Sequence, residues 1–311
     1  MKKGWLLILT IIIVFAFYGC VSVKVDWEGA SGNVMTPDVK NTEKPRIIST
    51  PVPTASVHCP RIEETVIYDS EIVTVTVTGM EYSTSYKAFM VKVIIQNHSQ
   101  HDISYFINWA NVNGYTIKAF SIGHIFGGME SDADFWLSRD ELELAEIEYI
   151  QEIGFTVDFS YNDSNEQICT ASANLPTSDY GKSAETQEPK GTVVYSSDDY
   201  KIIAAPYSKP TIGRPLVLYI ENNTEYTIMV AYDGVAINGE MVASYMTGPF
   251  VLPNTTRVEL MEIYYFGDEP DIDAIDSVTL GLDLIPQRPV VDDFSFYDDR
   301  VEVPPVTVSF S

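Results

Sequence analysis

Basic residues are scarce. Nineteen Lys and Arg stand against 44 Asp and Glu, and the formal net charge is −25. Such a surface repels phosphate backbones and anionic lipid headgroups, so nucleic acid is excluded as a partner. Cysteine is scarcer still: Cys20, Cys59 and Cys169 are the three in 311 residues. Histidine is limited to His58, His98, His101 and His124. His98 and His101 share a turn with Asp102, but zinc needs three or four ligands fixed in space, and the loop reads as solvated. There is no Gly-x-Ser-x-Gly elbow, no HExxH helix and no glycine-rich phosphate loop. The long helical periods of a two-lobed solute receptor are also missing. No cofactor is implied, and no enzyme class is singled out. A carboxylate pair for glycoside hydrolysis is compatible with so many acids, but nothing marks one out.

What the chain does have is one stretch written twice. Val91 to Gly114 reads VKVIIQNHSQHDISYFINWANVNG, and Leu216 to Gly239 reads LVLYIENNTEYTIMVAYDGVAING. The offset of 125 pairs Asn97 with Asn222, Ile103 with Ile228, and Asn113-Gly114 with Asn238-Gly239. Val91, Val93 and Ile95 alternate with other residues at the period of a half-buried strand, as do Leu216, Leu218 and Ile220. A polar turn follows, in which Asn bonds its own backbone. Each copy then reaches Asn-Gly, the signal of a tight hairpin with φ > 0 at both central residues. No gap is needed from Val91 to Asp158, with Gly123 against Gly248 and Ile150 against Ile275. The opening strands, Thr65 to Tyr68 and Thr192 to Tyr195, are offset by 127 instead.

Around this stretch each copy carries about seven short strands separated by turn signals, the profile of a β-sandwich. Ser138 is placed to cap one helical turn through Arg139, Asp140 and Glu141. The expected fold is all-β: two tandem immunoglobulin-like β-sandwiches, residues 62–176 and 191–311, joined by a polar linker over 177–190. The tail, Val290 to Ser311, ends in VEVPPVTVSF, read as a last strand interrupted at Pro304-Pro305 and hence an edge strand. Residues 21–61 hold Pro37, Pro45, Pro51, Pro53 and Pro60, and are expected to form a disordered tether.

Residues 1–20, MKKGWLLILTIIIVFAFYGC, have the three parts of an export signal. Gly19-Cys20 resembles a bacterial lipoprotein signal, which implies cleavage and lipidation at Cys20. Phe17 and Tyr18 depart from the family's residues there, and an uncleaved N-terminal anchor is the alternative. The tandem strand order, with turns such as ENNT and INGE, resembles the immunoglobulin-like domains of Gram-positive lipoproteins of unknown function. That resemblance implies a fold and a location outside the cytoplasmic membrane, with no activity attached.

The candidate residues are few. An extracytoplasmic setting permits a disulfide between Cys59 and Cys169, the alternative being two free thiols. Asp268, Asp271 and Asp273 are a weak calcium candidate without the spacing of a calcium loop. Tyr105, Phe106 and Trp109 lead into the first Asn-Gly turn and are the candidate recognition surface. The expectation is a membrane-tethered lipoprotein, non-catalytic, that binds an envelope protein or glycan or serves as an envelope structural module. A cell-surface hydrolase, or its accessory domain acting on glycans, is the alternative.

Overall fold

The computed structural model describes residues 57–182, 189–211, 214–243, 246–261, 275–287 and 300–310. Cys20 and the acidic group Asp268, Asp271 and Asp273 lie outside the described residues. The first copy contains β1 (Thr65–Asp69), β2 (Val73–Ser83), β3 (Ala88–Asn97), β4 (Ile103–Val112), β5 (Tyr115–Ile125), β6 (Glu130–Asp132) and β7 (Phe135–Ser138). A short helix α1 (Arg139–Leu144) then leads to β8 (Glu152–Tyr161) and β9 (Gln167–Pro176). The second copy contains β10 (Thr192–Ser196), β11 (Tyr200–Thr211), β12 (Arg214–Asn222), β13 (Thr227–Ile237) and β14 (Glu240–Ala243). It continues with β15 (Met246–Val251), β16 (Thr255–Leu260), β17 (Ser277–Gln287) and β18 (Val301–Ser309).

Each copy is a sandwich of two antiparallel sheets. In the first, β1-β2-β3 continues through β6 and β7, and faces β9-β8-β4-β5. In the second, β10-β11-β12-β16 faces β18-β17-β13 with β14 and β15. The strand alternation explains the cores. Val73, Val75, Val77, Val91, Val93 and Ile95 point inward to meet Ile103, Ile107, Ile153, Val157 and Phe159. Leu216, Leu218 and Ile220 meet Ile228, Val230, Leu280, Leu282 and Leu284 in the second core. Each such side chain contributes roughly 1.5–3 kcal/mol when fully buried. The chain is therefore all-β, two tandem immunoglobulin-like sandwiches.

The duplication is visible in hydrogen bonds. The buried Asn97 amide donates to the carbonyls of His101 (2.8 Å), Ile125 (3.1 Å) and Phe126 (3.2 Å), and its Oδ1 accepts from the Ser99 N–H at 3.0 Å. Asn222 donates to Tyr226 (2.7 Å), Val251 (3.1 Å) and Leu252 (3.0 Å), and accepts from the Thr224 N–H at 3.1 Å. Asn113 and Asn238 sit at φ 53° and 50°, followed by Gly114 and Gly239 at 86° and 84°. Each Asn Oδ1 takes two backbone N–H groups, Gln151 and Glu152 in one copy and Asp276 and Ser277 in the other.

The gap-free alignment needs one correction. Ser104 pairs with His124, whereas Met229 pairs with Phe250, so β15 has gained a residue by that point. The extra residue bulges at Gly248-Pro249, and the offset returns to 125 by Ile275. The 127 offset of the opening strands is matched by the same bulge in both, between Val66 and Tyr68 and between Val193 and Tyr195. Three local details differ from the sequence expectation. Ser138 precedes α1 but makes no side-chain cap. Val57 and Cys59, expected in the tether, pack against the first core. Thr177 and Asp179, expected in the linker, are buried against the first sandwich.

Candidate functional site

A row of exposed rings crosses the side of the first sandwich where β5 joins both sheets. On β5, Ile117 and Ala119 are buried, so strand alternation turns Lys118, Phe120 and Ile122 outward. On β7, Phe135 and Leu137 point inward and leave Trp136 outside. Trp136 stands directly opposite Phe120 across the β5–β7 pair, and Phe106 opposite Ile122 across β4–β5. The Phe106 and Phe120 rings meet edge to face at 6.1 Å. Tyr86, from the β2–β3 turn, lies over Trp136 with centroids 4.1 Å apart. Tyr86, Phe120 and Ile122 are 59%, 52% and 61% exposed. A cleft of about 440 Å³ runs beside them, and Lys118, Ser121, Asp134 and Ser138 share its lining.

The three expected recognition residues separate. Phe106 belongs to the row. Tyr105 does not: it is buried, and its ring lies across Gly123, where a Cβ would come within 2.6 Å of it. Trp109 is covered by the second sandwich, with Phe250 at 5.9 Å and the Arg257 guanidinium at 5.2 Å from its ring. Tyr105 keeps the inward parity of Ile103 and Ile107 and is buried by alternation alone, whereas the bulge between Ile107 and Trp109 changes the facing of the end of β4 and turns Trp109 toward the second sandwich.

The disulfide is also corrected. Cys59 and Cys169 are free, half-buried thiols. Cys169 lies near the start of β9 and Cys59 beside Asp179 past its end, so strand rise alone separates them by about 20 Å, whereas a disulfide needs Cα atoms within about 7 Å. Burial, with Glu81 and Asp179 nearby, pushes the Cys59 thiol pKa up, which makes it a poor nucleophile. The histidines have separate partners. His98 bonds Thr74 at 2.8 Å, His124 bonds Ser104 at 2.9 Å, and His101 packs edge-on to Tyr161. Among the described residues no group of three His, Cys, Asp or Glu is gathered to hold a metal.

The junction between the sandwiches is a built interface. Thr116 Oγ1 and Thr255 Oγ1 share a 2.6 Å hydrogen bond, and the Leu252 N–H donates to Thr116 Oγ1 at 2.9 Å. The Thr256 N–H donates to the Gly114 carbonyl, and Thr256 pairs with Tyr115 as a short parallel bridge. Arg257, 4% exposed, donates to the Thr116 carbonyl at 3.0 Å and pairs with Glu141 at 2.9 Å and Glu259 at 2.7 Å. Beside it Ala205, Val217 and Val258, on the outer face of the second sandwich's front sheet, join the core cluster of the first. Burial, then Glu146, pushes the Tyr115 and Tyr219 hydroxyls up in pKa at this junction.

The corresponding face of the first sandwich has different chemistry. By strand register Val217 corresponds to Lys92, Val258 to Asp132 and Leu260 to Asp134. In place of an aliphatic pair there is an ion pair, Lys92 to Asp134 at 2.7 Å, with Glu81 at 2.9 Å. The first sandwich therefore does not offer the surface on which a further sandwich would stack in the same way.

At the base of the first sandwich a second cleft of about 340 Å³ is lined by His58, Phe89, Arg139, Glu143, Ile147, Glu148 and Asp179, among others. Its carboxylates are engaged: Glu143 with Arg139, Glu148 with the Tyr149 hydroxyl, and Asp179 with His58 at 2.7 Å and Lys182 at 2.6 Å. Burial raises the Asp179 pKa, but the hydrogen bonds from Lys182 and His58 outweigh it and hold the carboxyl below its usual range. That is the opposite of a general acid poised near neutrality.

No family model matches the chain, and no curated protein matches it. Among solved structures it is similar to red sea bream transglutaminase at 11% identity and a TM-score of 0.21, covering 74% of this chain and 30% of that one. The chain thus spans about a third of the transglutaminase. It is also similar to the YadV chaperone at 11% identity and a TM-score of 0.21, covering 71% and 92%. A third is the Salmonella enterica SafA pilin in complex with the SafB chaperone, at 10% identity and a TM-score of 0.25, covering 78% and 98%. Likeness at this level carries no functional argument.

Proposed function

We propose that the chain is a non-catalytic binding module of the cell envelope, exported and held at the outer face of the membrane through its N-terminus, which meets its partner with the aromatic row of the first sandwich. The observation that carries this reading is the row itself: Trp136, Phe120, Ile122 and Phe106 stand contiguous and exposed on paired strands, with Tyr86 of the β2–β3 turn over Trp136. Contiguous apolar surface is costly to leave in water and marks interaction sites when it is kept. The signal-like residues 1–20, ending at Cys20, support export and tethering.

The test uses residues 55–311, which form one compact unit. Cosedimentation of this unit with isolated envelopes should be saturable, and Trp136→Ala with Phe120→Ala should reduce retention at least 10-fold at an unchanged melting temperature. Equal retention of wild type and variant overturns the reading. For the tether, Cys20→Ser in the full chain should move the protein from the membrane fraction to the medium.

A further inference from the structure

Resting on that reading, we propose that the ligand of the aromatic row is an uncharged glycan chain, laid across β7, β5 and β4. Three features of the surface select this chemistry.

The first is shape. Trp136, Phe120 and Phe106 come from successive strands, so the row runs across the strands rather than along one. Neighbouring strands are about 4.8 Å apart, so the row is a narrow linear platform for an extended ligand. The second is the mixture of groups. Lys118, Ser121, Asp134 and Ser138 line the same cleft as the rings. The centre of a protein–protein interface is depleted of charge, whereas a sugar presents C–H groups on its face and hydroxyls around its rim. Ring faces accept the former, and the Ser, Lys and Asp groups can exchange hydrogen bonds with the latter. The third is charge. Lys92 is held between Asp134 at 2.7 Å and Glu81 at 2.9 Å and leaves no uncompensated positive charge beside the cleft, and the chain as a whole carries −25. A polyanion would be repelled by the chain as a whole and a polycation would meet Lys118 in the cleft itself, so the polymer is neutral.

A second copy of this chain is a poorer occupant. Where two sandwiches do meet, the receiving face is aliphatic, with Val217 and Val258 in the shared core. The first sandwich has Lys92 and Asp132 at those positions.

The experiment compares retention of residues 55–311 on isolated envelopes after three treatments. Periodate, which cleaves vicinal diols, should lower retention at least 10-fold. Exhaustive proteolysis of the envelopes should leave it within 2-fold. Added heparin, a soluble polyanion, should also leave it within 2-fold. Loss on proteolysis with survival of periodate overturns the glycan and leaves the binding reading standing. Displacement by heparin overturns the neutral polymer. No retention on untreated envelopes overturns both. Ile122→Ser, in which no ring is removed, serves as a second variant if Trp136→Ala or Phe120→Ala melts early; it should weaken retention as well, and unchanged retention counts against the row as the site.

Discussion

The guanidinium of Arg257 and the carboxylate of Glu141 meet at 2.9 Å, one from each sandwich, at the buried centre of their junction. Arg257 reaches Glu259, the Thr116 carbonyl and the face of Trp109 from the same position. Burial disfavours its charge, but Glu259 and Glu141 more than offset this, so its pKa stands above the usual arginine value. The side chain with fixed planar geometry sits where several fixed acceptors converge. The two sandwiches are thereby joined through directional contacts as well as apolar burial.

Removing that charge leaves its partners stranded. Arg257→Ala should destabilise residues 55–311 by about 3 kcal/mol, within the range for breaking one side of a buried pair. Glu141→Gln should cost less, about 1 kcal/mol, because Glu141 is partly exposed and its amide still accepts the Arg257 and Lys118 N–H groups. Denaturant unfolding followed at Trp109, which contacts Arg257, should show both losses. An Arg257→Ala protein as stable as wild type would show that apolar burial alone holds the junction.

The corner asparagines make a sharper comparison, because the fold supplies its own control. Asn97 and Asn222 each donate to three carbonyls and accept a backbone N–H, one in each sandwich. Replacing either by Ala strands buried carbonyls, at about 1–3 kcal/mol for each group left without a partner. Asn97→Ala and Asn222→Ala should therefore each cost about 3 kcal/mol in equilibrium denaturation. Asp at either position should be worse near neutral pH, since a carboxylate cannot donate to the three oxygens it would face.

Much of this fold is legible in the sequence because its rules are local. Alternation of Val91, Val93 and Ile95 gives the strand and its buried face, and Asn113-Gly114 gives the turn through backbone sterics alone. What is not legible depends on partners distant in sequence. No local pattern singles out Arg257, whose role appears only when Glu141, 116 positions away, is brought beside it. Tyr105 shares the inward parity of Ile103 and Ile107, so alternation alone buries it, but Trp109 departs from that parity because the bulge after Ile107 breaks the alternation. The aromatic row had a signal that was available: Phe120 and Ile122 share the parity of Lys118 on β5, so they belong to the polar face. That parity places large apolar groups where solvent is expected, but only the β5–β7 register brings Trp136 beside them.

Acid should loosen the base of the first sandwich first. Asp179 is buried and fastens two segments at once, the incoming chain at His58 and the outgoing chain at Lys182. Its folded pKa is depressed, so the folded state binds a proton less readily than the unfolded chain. The stabilisation is therefore complete above the unfolded value of roughly 4, and is lost as pH falls through the lower folded value. Asp179→Asn should remove this dependence while keeping the shape, and should lower stability at pH 7 by about 2 kcal/mol, the scale of hydrogen bonds to a charged group. Melting curves between pH 2 and pH 7 should show the wild type losing its advantage over the variant only at the acid end. Amide exchange should place the opening at residues 57–61 and 177–182, which are tied together by the Ser178 N–H donating to the Arg61 carbonyl. A constant difference between the two proteins across the whole range would mean that Asp179 acts by packing, with no contribution from its charge.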